Sequence, residues 1–541
     1  MSLDQAADRS SSAERDSVAR QTMARASWFE RAVLIAYAAL ISLMSLRHEP
    51  WKDETQTWRM AIDSHGLLEL WRNSRYEGHP LLFHLLLQTV GHVSRSWWAA
   101  ATLHVLIACM AVWIVLRYAP FSRLQKVLLV FGYFPAYEYA VVVRPYGLGM
   151  LLAFAACVAW TAPRRRPGWT ALWLVLLANS SVMGTLLAMT LVLAFAVEWA
   201  WPDDVAARPE RRQLVMGGVI ALAATVIVLW IAVVQMKPAT DAAYKGETPV
   251  VSAMSRWDVV SIPTVELRAL IPLVRDEDGP KWNAWLLRPD STRALAANLA
   301  LSLVALAIGV VIASRRRTAL LFFVVGTTGY ILFFAFFIPG SAHHHGFLFL
   351  VWVIAAWLAW SGSPSERPRV FRLLTERLDT ERPFLFTLSL LPAIVATVQI
   401  GGADLRLPFS DARHVADVIR SQGLEHAPII GVVRSHAQSV GAFLDHDVLY
   451  PVEGKSYGFV VWGRGASHHK TIGAADSAAT ALLTHECRVL LIASPSQDVA
   501  PVTAARSKLI YTTPGRPMSG DRYRVWLTSA PVSDRCPASS R

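Results

Sequence analysis

Residues 51–84 read WKDETQTWRMAIDSHGLLELWRNSRYEGHPLLFH and form the first long polar interruption in a chain that is otherwise rich in apolar runs. The stretch opens with the adjacent acids Asp53 and Glu54 and closes with Glu77 and His79. Tryptophan and tyrosine recur along it, and amphipathic aromatic side chains at this density are typical of the headgroup level of a bilayer. We therefore expect a loop that holds acids and a histidine against a membrane surface.

The composition around this loop is that of a polytopic membrane protein. Of the 541 residues, 54% are hydrophobic and only 17% are charged, and 21 are tryptophan. These fractions lie outside the range of soluble globular chains. The net charge of +12 comes from short arginine clusters between apolar runs, so it indicates membrane topology and no nucleic-acid partner. The sequence contains none of the Walker, GxSxG, HExxH or dinucleotide motifs.

Ten apolar runs are candidates for membrane spans, since crossing ~30 Å of hydrocarbon takes about 20 helical residues. The run 168–200 is too long for one helix and is interrupted by Asn179, Ser180 and Ser181. It therefore predicts two spans, and the total becomes eleven. The runs lie near 28–46, 97–117, 124–142, 146–162, 168–200, 213–235, 292–313, 317–338, 345–361 and 383–400.

The arginine clusters orient these spans. They all fall on one side, which the positive-inside rule makes cytoplasmic, provided that residues 80–94 form a juxtamembrane helix in the interface and do not cross. This topology predicts a cytoplasmic polar tail at 1–27, a transmembrane domain at 28–400 and external loops at 47–96 and 236–291. The external loop 236–291 carries seven Lys or Arg residues and is typical of a gating loop.

Residues 401–541 change sharply in composition and alternate helical and strand patterns. They predict a small extracytoplasmic α/β domain, which could bind an acceptor or simply cover the external face. Cys487 and Cys536 lie in this domain and could form a disulfide if it is outside the cytoplasm, but spacing alone does not place their Cα atoms.

Asp53 and Glu54 are the first candidates for chemistry, because two acids fixed at an interface can supply a general base or a cation ligand. The plainer interpretation is a helix start, with Asp53 as N-cap and Gln56 in a capping box. Both interpretations can hold together. Glu77 and His79 form a second cluster, for which a solvated loop end is the alternative.

Basic and aromatic residues complete the candidate site. Arg144 precedes Pro145 and Tyr146 between two predicted spans, where it could bind phosphate through its forked donors or simply extend to the membrane surface. His343, His344 and His345 follow a predicted external bend. Consecutive histidines cannot all point one way on a helix, so a three-histidine metal site is not expected. One or two could contact phosphate or a cation, or simply lie at the interface.

The pattern resembles the GT-C superfamily of polyprenyl-phosphate-dependent glycosyltransferases, in the branch of protein O-mannosyltransferases, the lipid A aminoarabinose transferase and rhizobial lipopolysaccharide sugar transferases. The matching features are Asp53-Glu54 after the first span, His79-Pro80-Leu81, and Arg144-Pro145-Tyr146. The long external loop between spans seven and eight also corresponds. A second proline is common where this chain has Leu82, and an arginine-tyrosine pair is often found where it has His343–His345.

The resemblance implies an integral-membrane enzyme of the bacterial inner membrane that acts on the periplasmic face. It would move a sugar from a polyprenyl-phosphate donor to a hydroxyl of a glycan, lipid or protein acceptor. Carried over by position, Asp53 is the base, Glu54 is its partner and Arg144 binds phosphate. A divalent metal cation, if one takes part, would be held by Asp53, Glu54 or His79.

Two other classes of protein remain open. A lipid-linked sugar flippase or transporter should carry charges deep in several spans and a repeated half, and neither pattern stands out in the sequence. A non-catalytic anchor for the C-terminal domain would tolerate neutral residues at 53 and 54.

Overall fold

The computed structural model describes residues 27–162, 167–202, 211–242, 262–275, 281–362, 369–432, 434–451, 455–462, 472–495, 506–531 and 536. Nearly all of the predicted tail 1–27 and parts of the loop 236–291 lie outside these residues. The first helices, numbered in chain order, are α1 (Ser27–Arg47), α2 (Lys52–Asp63), α3 (Leu67–Ser74), α4 (Leu82–Val93), α5 (Trp97–Tyr118), α6 (Arg123–Val130), α7 (Tyr146–Thr161), α8 (Pro167–Ala178) and α9 (Val182–Ala200). The others are α10 (Arg211–Trp230), α11 (Val265–Leu270), α12 (Thr292–Ala313), α13 (Arg317–Phe336), α14 (Ala342–Trp360), α15 (Arg369–Ala396), α16 (Ala412–Ser421), α17 (Arg434–Leu444) and α18 (Ile472–Leu482).

The protein is a multi-pass helical membrane protein. Within the described residues, eight helices are long and apolar enough to cross a bilayer: α1, α5, α9, α12, α13, α14, the segment Val215–Gln235 that begins in α10, and the segment Leu378–Asp404 that begins in α15. They coincide with eight of the eleven predicted spans, so hydropathy located most of the membrane domain correctly.

The three remaining predicted spans are formed by shorter helices. The predicted span 124–142 is wrong as one helix, because α6 ends at Val130 and a π-helical turn follows at Phe134–Glu138. Pro135 lies in that turn, and proline lacks the N–H that a continuous helix needs. α7 has 16 residues and α8 has 12, which give about 24 Å and 18 Å of helix. They are therefore shorter than the ~30 Å hydrocarbon layer.

α14 lies at the centre of the membrane domain and is buried along almost its whole length. It packs against α7, α9, α12 and α13, as expected for a helix that is apolar all round. Gly346 permits a close approach to the end of the π-helical turn as well, since a Cβ there would lie 2.3 Å from the Tyr139 hydroxyl. The N-terminal turn of α14 carries the three consecutive histidines and is held among neighbouring helices.

The predicted juxtamembrane segment 80–94 forms α4, whose 12 residues are too few to cross the bilayer. α4 packs against α2 and α5. Its Gln88 side chain donates hydrogen bonds to the backbone oxygens of Ala61 (3.2 Å) and Ser64 (2.9 Å) at the end of α2. These bonds satisfy carbonyls that a helix end leaves unpaired, so α4 fixes the helix that carries Asp53.

The C-terminal part contains a six-stranded sheet with the order β3-β2-β1-β4-β6-β5. β1 pairs in parallel with β2 and β4, and the other neighbours are antiparallel. Apolar clusters lie on both faces of the sheet, beneath α16, α17 and α18. The predicted α/β domain is therefore present. The strands are β1 (Ile429–Gly431), β2 (Val448–Tyr450), β3 (Lys455–Tyr457), β4 (Arg488–Ala493), β5 (Ser507–Thr512) and β6 (Arg524–Ser529).

Cys487 and Cys536 form a disulfide with a Cα–Cα distance of 5.4 Å. This distance lies within the usual range for disulfides. Cys487 directly precedes β4, so the bond links Cys536 to the start of that strand. The sequence left open whether these two cysteines are bonded or free, and in the structure they are bonded.

Candidate active site

The first turn of α2 is organised by Glu54. The helix begins at Lys52 with Trp51 as its N-cap, and the Glu54 side chain accepts a hydrogen bond from the Trp51 N–H at 3.0 Å. The expectation that Asp53 caps the helix is therefore wrong, because the reciprocal carboxylate of a capping box lies at the third helical position. Asp53 is left free of a capping role.

Both oxygens of the Glu54 carboxylate are occupied. Oε1 accepts a hydrogen bond from the Val143 N–H at 2.6 Å, and Oε2 lies 3.0 Å from Nε2 of His48. The other ring nitrogen of His48 lies 2.7 Å from Oδ2 of Asp404. Glu54 is completely buried. The predicted partner of the base is thus an anchor between the start of α2 and the segment before Arg144.

His48 lies between two carboxylates at the end of α1. Burial by itself lowers the pKa of the imidazole, but the adjacent Asp404 and Glu54 carboxylates more than offset this and raise the pKa to about 10. His48 is therefore a cation at neutral pH. It neutralises part of the negative charge that is buried at this point.

Asp53 has a different environment from its neighbour. Its backbone oxygen accepts hydrogen bonds from Arg144 Nη1 (2.9 Å) and the Thr57 hydroxyl (2.8 Å), and its side chain is half-buried. Within the described part of the chain, no side chain or backbone N–H donates to the Asp53 carboxylate. A carboxylate with open lone pairs is what a general base requires.

Arg144 lies directly against Asp53 and is only 7% exposed. One guanidinium nitrogen is used by the Asp53 oxygen and the Thr57 hydroxyl at 3.0 Å, whereas Nε is buried and has no hydrogen-bond partner among the described residues. The ring of Tyr146 lies 6.0 Å from the guanidinium carbon. Arg144 therefore retains a buried donor for an anionic or polar ligand.

Glu77 and His79, at the other end of the polar loop, also lie near Arg144. Glu77 accepts a hydrogen bond from Gln56 at 2.5 Å; burial raises the pKa of its carboxyl group, and Arg144 opposes that rise. Burial lowers the pKa of His79 well below its usual value, and Arg144 adds to this effect. His79 is therefore a neutral imidazole, and its buried Nδ1 has no hydrogen-bond partner among the described residues.

The three consecutive histidines divide between two sides of the α14 N-terminus. His343 stacks on Tyr146 with ring centroids 5.0 Å apart, and His344 Nε2 lies 3.1 Å from the Tyr146 hydroxyl. His345 points elsewhere, with Nε2 3.0 Å from the Pro339 oxygen and its ring against Phe334. Only His343 and His344 therefore join the group formed by Asp53, Glu77, His79, Arg144 and Tyr146.

Glu138 is a buried carboxylate in this region that was not predicted as a site residue. It is 1% exposed and accepts hydrogen bonds from the Tyr133 hydroxyl (2.5 Å) and the Trp282 indole (2.9 Å). Its other oxygen lies 3.5 Å from Nδ1 of His343. Glu138 thus lies beside His343, and the only signal in the sequence was its position among Tyr133, Tyr137 and Tyr139 in an apolar run.

A cavity of about 360 Å³ opens on the His345 side. Four permanently charged cations line it, and none of its described lining residues is acidic, so its chemistry favours an anion. We call it the cation cavity. The signal in the sequence was the density of basic residues in the loop 236–291, which suggested only a gating loop. The basic residues that line the cavity are Arg268, Arg275, Lys281, Arg288 and His345.

Trp282 separates the cation cavity from the group around Asp53. Its neighbours Lys281 and Asn283 line the cavity. Its own ring lies 4.7 Å from Trp51 and 5.8 Å from His343 on the other side. A row of aromatic rings therefore lies between the two polar regions.

The residues proposed for a metal do not form a ligand set. Among the described residues, no group of three or more His, Cys, Asp or Glu side chains could hold a metal ion. The Glu54 oxygens are already bonded to Trp51, Val143 and His48. Asp53, Glu54 and His79 therefore do not fit a shared metal site.

The C-terminal domain contacts α2 along one stripe of the helix. Thr55 and Ser439 share a hydrogen bond at 3.0 Å, and Gln56 exchanges two hydrogen bonds with the Val460 backbone at 2.7 and 2.8 Å. One turn further along, Arg59 pairs with Asp445 at 2.5 Å. The domain therefore lies directly beside the helix that carries Asp53.

Comparison with known proteins places this architecture in a recognised fold. No family model and no curated protein sequence matches the chain. Among solved structures, ArnT from Cupriavidus metallidurans bound to undecaprenyl phosphate superposes with a TM-score of 0.51 at 13% identity, over 93% of this chain and 98% of ArnT. Its apo structure superposes with a TM-score of 0.49 at 14% identity, over the same shares of the two chains. The chain therefore has the fold of ArnT, and the predicted multi-pass helical membrane fold with a C-terminal α/β domain is confirmed.

Proposed function

We propose that this multi-pass GT-C-fold protein is a glycosyltransferase that moves a sugar from a polyprenyl-phosphate donor to an acceptor hydroxyl. The observation that carries the proposal is the open carboxylate of Asp53, a residue whose backbone oxygen accepts a hydrogen bond from the buried Arg144 guanidinium. A base and a cation in one partly enclosed site are the two groups that such a displacement needs.

In the proposed reaction, Asp53 accepts the proton of the acceptor hydroxyl as that oxygen bonds to the anomeric carbon. The bond between the anomeric carbon and the phosphate oxygen breaks, and its electron pair leaves with the polyprenyl phosphate. The Arg and Lys side chains of the cation cavity stabilise the negative charge that grows on the departing phosphate, and Arg144 offers its unpaired Nε to the sugar on the Asp53 side. His79 supplies a neutral imidazole, and Tyr146 positions His344.

The donor phosphate is proposed to bind in the cation cavity. Arg268, Arg275, Lys281 and Arg288 bring four positive charges to a space of about 360 Å³. The sugar would then lie across the ring surface of Trp282, His343 and Tyr146 toward Asp53. The related fold of ArnT, crystallised with undecaprenyl phosphate, supports a lipid phosphate as the ligand.

We place the reaction on the periplasmic side of a bacterial inner membrane. The arginine clusters support this orientation through the positive-inside rule. The disulfide between Cys487 and Cys536 adds support, because disulfides persist in the periplasm and are rare in the cytoplasm. The C-terminal domain would then stand outside the membrane beside α2, where an acceptor glycan, lipid or protein arrives.

The test is transfer by purified protein in liposomes that contain lipid-linked sugars extracted from a strain lacking this chain. Mass spectrometry follows loss of the lipid-linked donor. We expect consumption by the wild type and a fall of about 10²- to 10⁴-fold in Asp53→Asn, because loss of a general base has this effect. Asp417→Asn, which alters an exposed carboxylate on α16, is the matched control and should retain full turnover.

Two results would contradict the proposal. Equal turnover by Asp53→Asn and the wild type would remove Asp53 as the base. Movement of the intact lipid-linked sugar across the bilayer, without cleavage, would instead identify a flippase.

A further inference from the structure

We infer that His48 is a positioning residue of the proposed transferase: it holds the Glu54 carboxylate that ties together the backbone segments carrying Asp53 and Arg144. The inference rests on the proposed function only for its kinetic consequence. The structural part of the inference concerns the contacts of His48 with Glu54 and Asp404, which we call the clamp. These contacts can be tested without any substrate.

Glu54 joins two segments that are far apart in sequence. It accepts the N–H of Trp51, two residues before Asp53, and the N–H of Val143, the residue before Arg144. These two bonds determine where α2 begins and where the bend after the π-helical turn lies. The Arg144 guanidinium then reaches the Asp53 backbone oxygen at 2.9 Å. One carboxylate therefore sets the spacing between the proposed base and the proposed cation.

His48 determines whether that carboxylate can stay in place. Both ring nitrogens face carboxylates, Glu54 at 3.0 Å and Asp404 at 2.7 Å, so both must donate and the ring must carry a positive charge. Asp404 also accepts the Tyr137 hydroxyl at 2.9 Å. His48, Glu54 and Asp404 are each no more than 4% exposed. Without the imidazolium, two buried carboxylates would lose their counter-charge, which is strongly unfavourable.

A second buried ion pair provides a matched control. Arg316 and Glu198 pair at 2.6 Å, and Arg316 also donates to the Leu358 oxygen near the far end of α14. Leu358 lies about 22 Å along the helix from His343, at about 1.5 Å per residue. Arg316→Gln therefore disturbs a buried ion pair of similar kind at a distance from the proposed site.

The structural test is hydrogen exchange of the purified full-length protein, read by mass spectrometry of peptides covering Trp51 and Val143. We expect His48→Gln to accelerate exchange in both peptides, because both amides depend on Glu54. Arg316→Gln should accelerate exchange in neither. Unchanged exchange at Trp51 and Val143 in His48→Gln would overturn the inference, whatever the chain catalyses.

The kinetic test is a double-mutant cycle. We expect His48→Gln to lower kcat by about 10- to 100-fold while the KM for the lipid-linked donor stays within about twofold, since a misplacement of about 1 Å can have this effect. If His48 acts through Glu54, His48→Gln in a Glu54→Gln background should cost little more than Glu54→Gln alone. If the double variant loses kcat by the product of the two single-variant losses, the inference is overturned and the proposed transfer stays intact.

If His48→Gln does not fold, Asp404→Asn replaces it in the hydrogen-exchange test. It keeps the pairing of His48 with Glu54 but removes the second carboxylate, so the same two peptides should exchange faster by a smaller factor. Exchange at the wild-type rate in both would contradict the clamp. A wild type that transfers no sugar, with the expected exchange pattern, would overturn the proposed function and leave the clamp standing.

Discussion

At the scale of residues, the two adjacent acids that open the polar loop have opposite environments. A helix turns by 100° per residue, so neighbouring side chains face different directions. Glu54 points inward and is bonded to Trp51, Val143 and His48. Asp53 points toward the partly open region beside Arg144. Only one of the two is free to exchange a proton with a substrate.

His48 should make stability depend on pH in a defined direction. Its folded-state pKa of about 10 lies above the ordinary value of 6.5, so its stabilisation is complete below pH 6.5 and is lost as pH rises through 10. Its neighbours in this response are Glu54 from α2, Asp404 from the short helix Gly402–Asp404 after α15, and Tyr137 from the π-helical turn.

Thermal unfolding in detergent between pH 6 and pH 10 measures this contribution. The wild type should lose roughly 2–4 kcal/mol more stability over that interval than His48→Gln, in which the group is absent. Parallel pH profiles for the two proteins would mean that His48 is not protonated in the fold.

The limits of sequence reasoning are clear for this cluster. Asp53, Glu77, His79, Arg144, Tyr146, His343 and His344 were all predicted, and the structure brings them together. His48 and Asp404 were not, because they lie 356 residues apart in sequence and neither belongs to a recognisable motif. Their pairing depends on how α1 and α15 pack, which no local pattern reports.

At the scale of elements, α2 joins three parts of the protein through three faces. Asp53 and Thr57 lie four residues apart and face Arg144. Glu54 faces the buried cluster at the end of α1. Thr55, Gln56 and Arg59 contact the C-terminal domain. The helix thus transmits the position of that domain to the proposed base.

Arg59 is the strongest point of the contact between α2 and the C-terminal domain. It is buried and pairs with Asp63 at 2.7 Å, Asp445 at 2.5 Å and Asp447 at 3.3 Å. Arg59→Met should cost about 1–3 kcal/mol, because it removes a buried cation from all three carboxylates and leaves only Arg95 to pair with Asp63 and Asp445. It should also accelerate proteolysis of the C-terminal domain.

Arg420→Met is the control for Arg59→Met, since Arg420 forms an exposed pair with Asp417 on α16. Exposed pairs contribute little, so its digestion pattern should match that of the wild type. Equal digestion rates for both variants would show that Arg59 does not hold the domain in place.

Element prediction succeeded where the signal was long and periodic. Hydropathy found the eight long spans, and the strands β1, β4, β5 and β6 were expected from their apolar patterns. β2 and β3 were not expected, because these three-residue strands lack the longer apolar run that surrounds the equally short β1. The span predicted at 124–142 failed because its apolar composition hid the break at Pro135.

At the scale of the whole molecule, positive charge is concentrated where a lipid phosphate would bind. The net charge of +12 contains both the arginine clusters between the apolar runs and the basic residues of the cation cavity, and only the fold separates the two sets. The described part of the loop 236–291 therefore supplies every Arg and Lys side chain that lines this cavity.

A substitution of Arg268 tests whether the cation cavity binds the lipid phosphate. Its guanidinium donates to the Asn283 backbone oxygen at 2.8 Å and faces the enclosed space. Arg268→Gln should weaken binding of undecaprenyl phosphate by about 10- to 100-fold, the effect of losing a charged hydrogen bond. Native mass spectrometry in detergent measures the affinity, with Arg420→Gln as a matched surface control. An unchanged affinity in Arg268→Gln would place the phosphate elsewhere.

The most direct measurement is a cryo-electron microscopy structure of the protein with a non-cleavable polyprenyl-phosphate sugar. The account predicts the phosphate among Arg268, Lys281 and Arg288, the sugar along Trp282, and the Asp53 carboxylate beside the path of an oxygen that attacks from about 3–3.5 Å. A phosphate bound outside the cation cavity, with the sugar remote from Asp53, would contradict it.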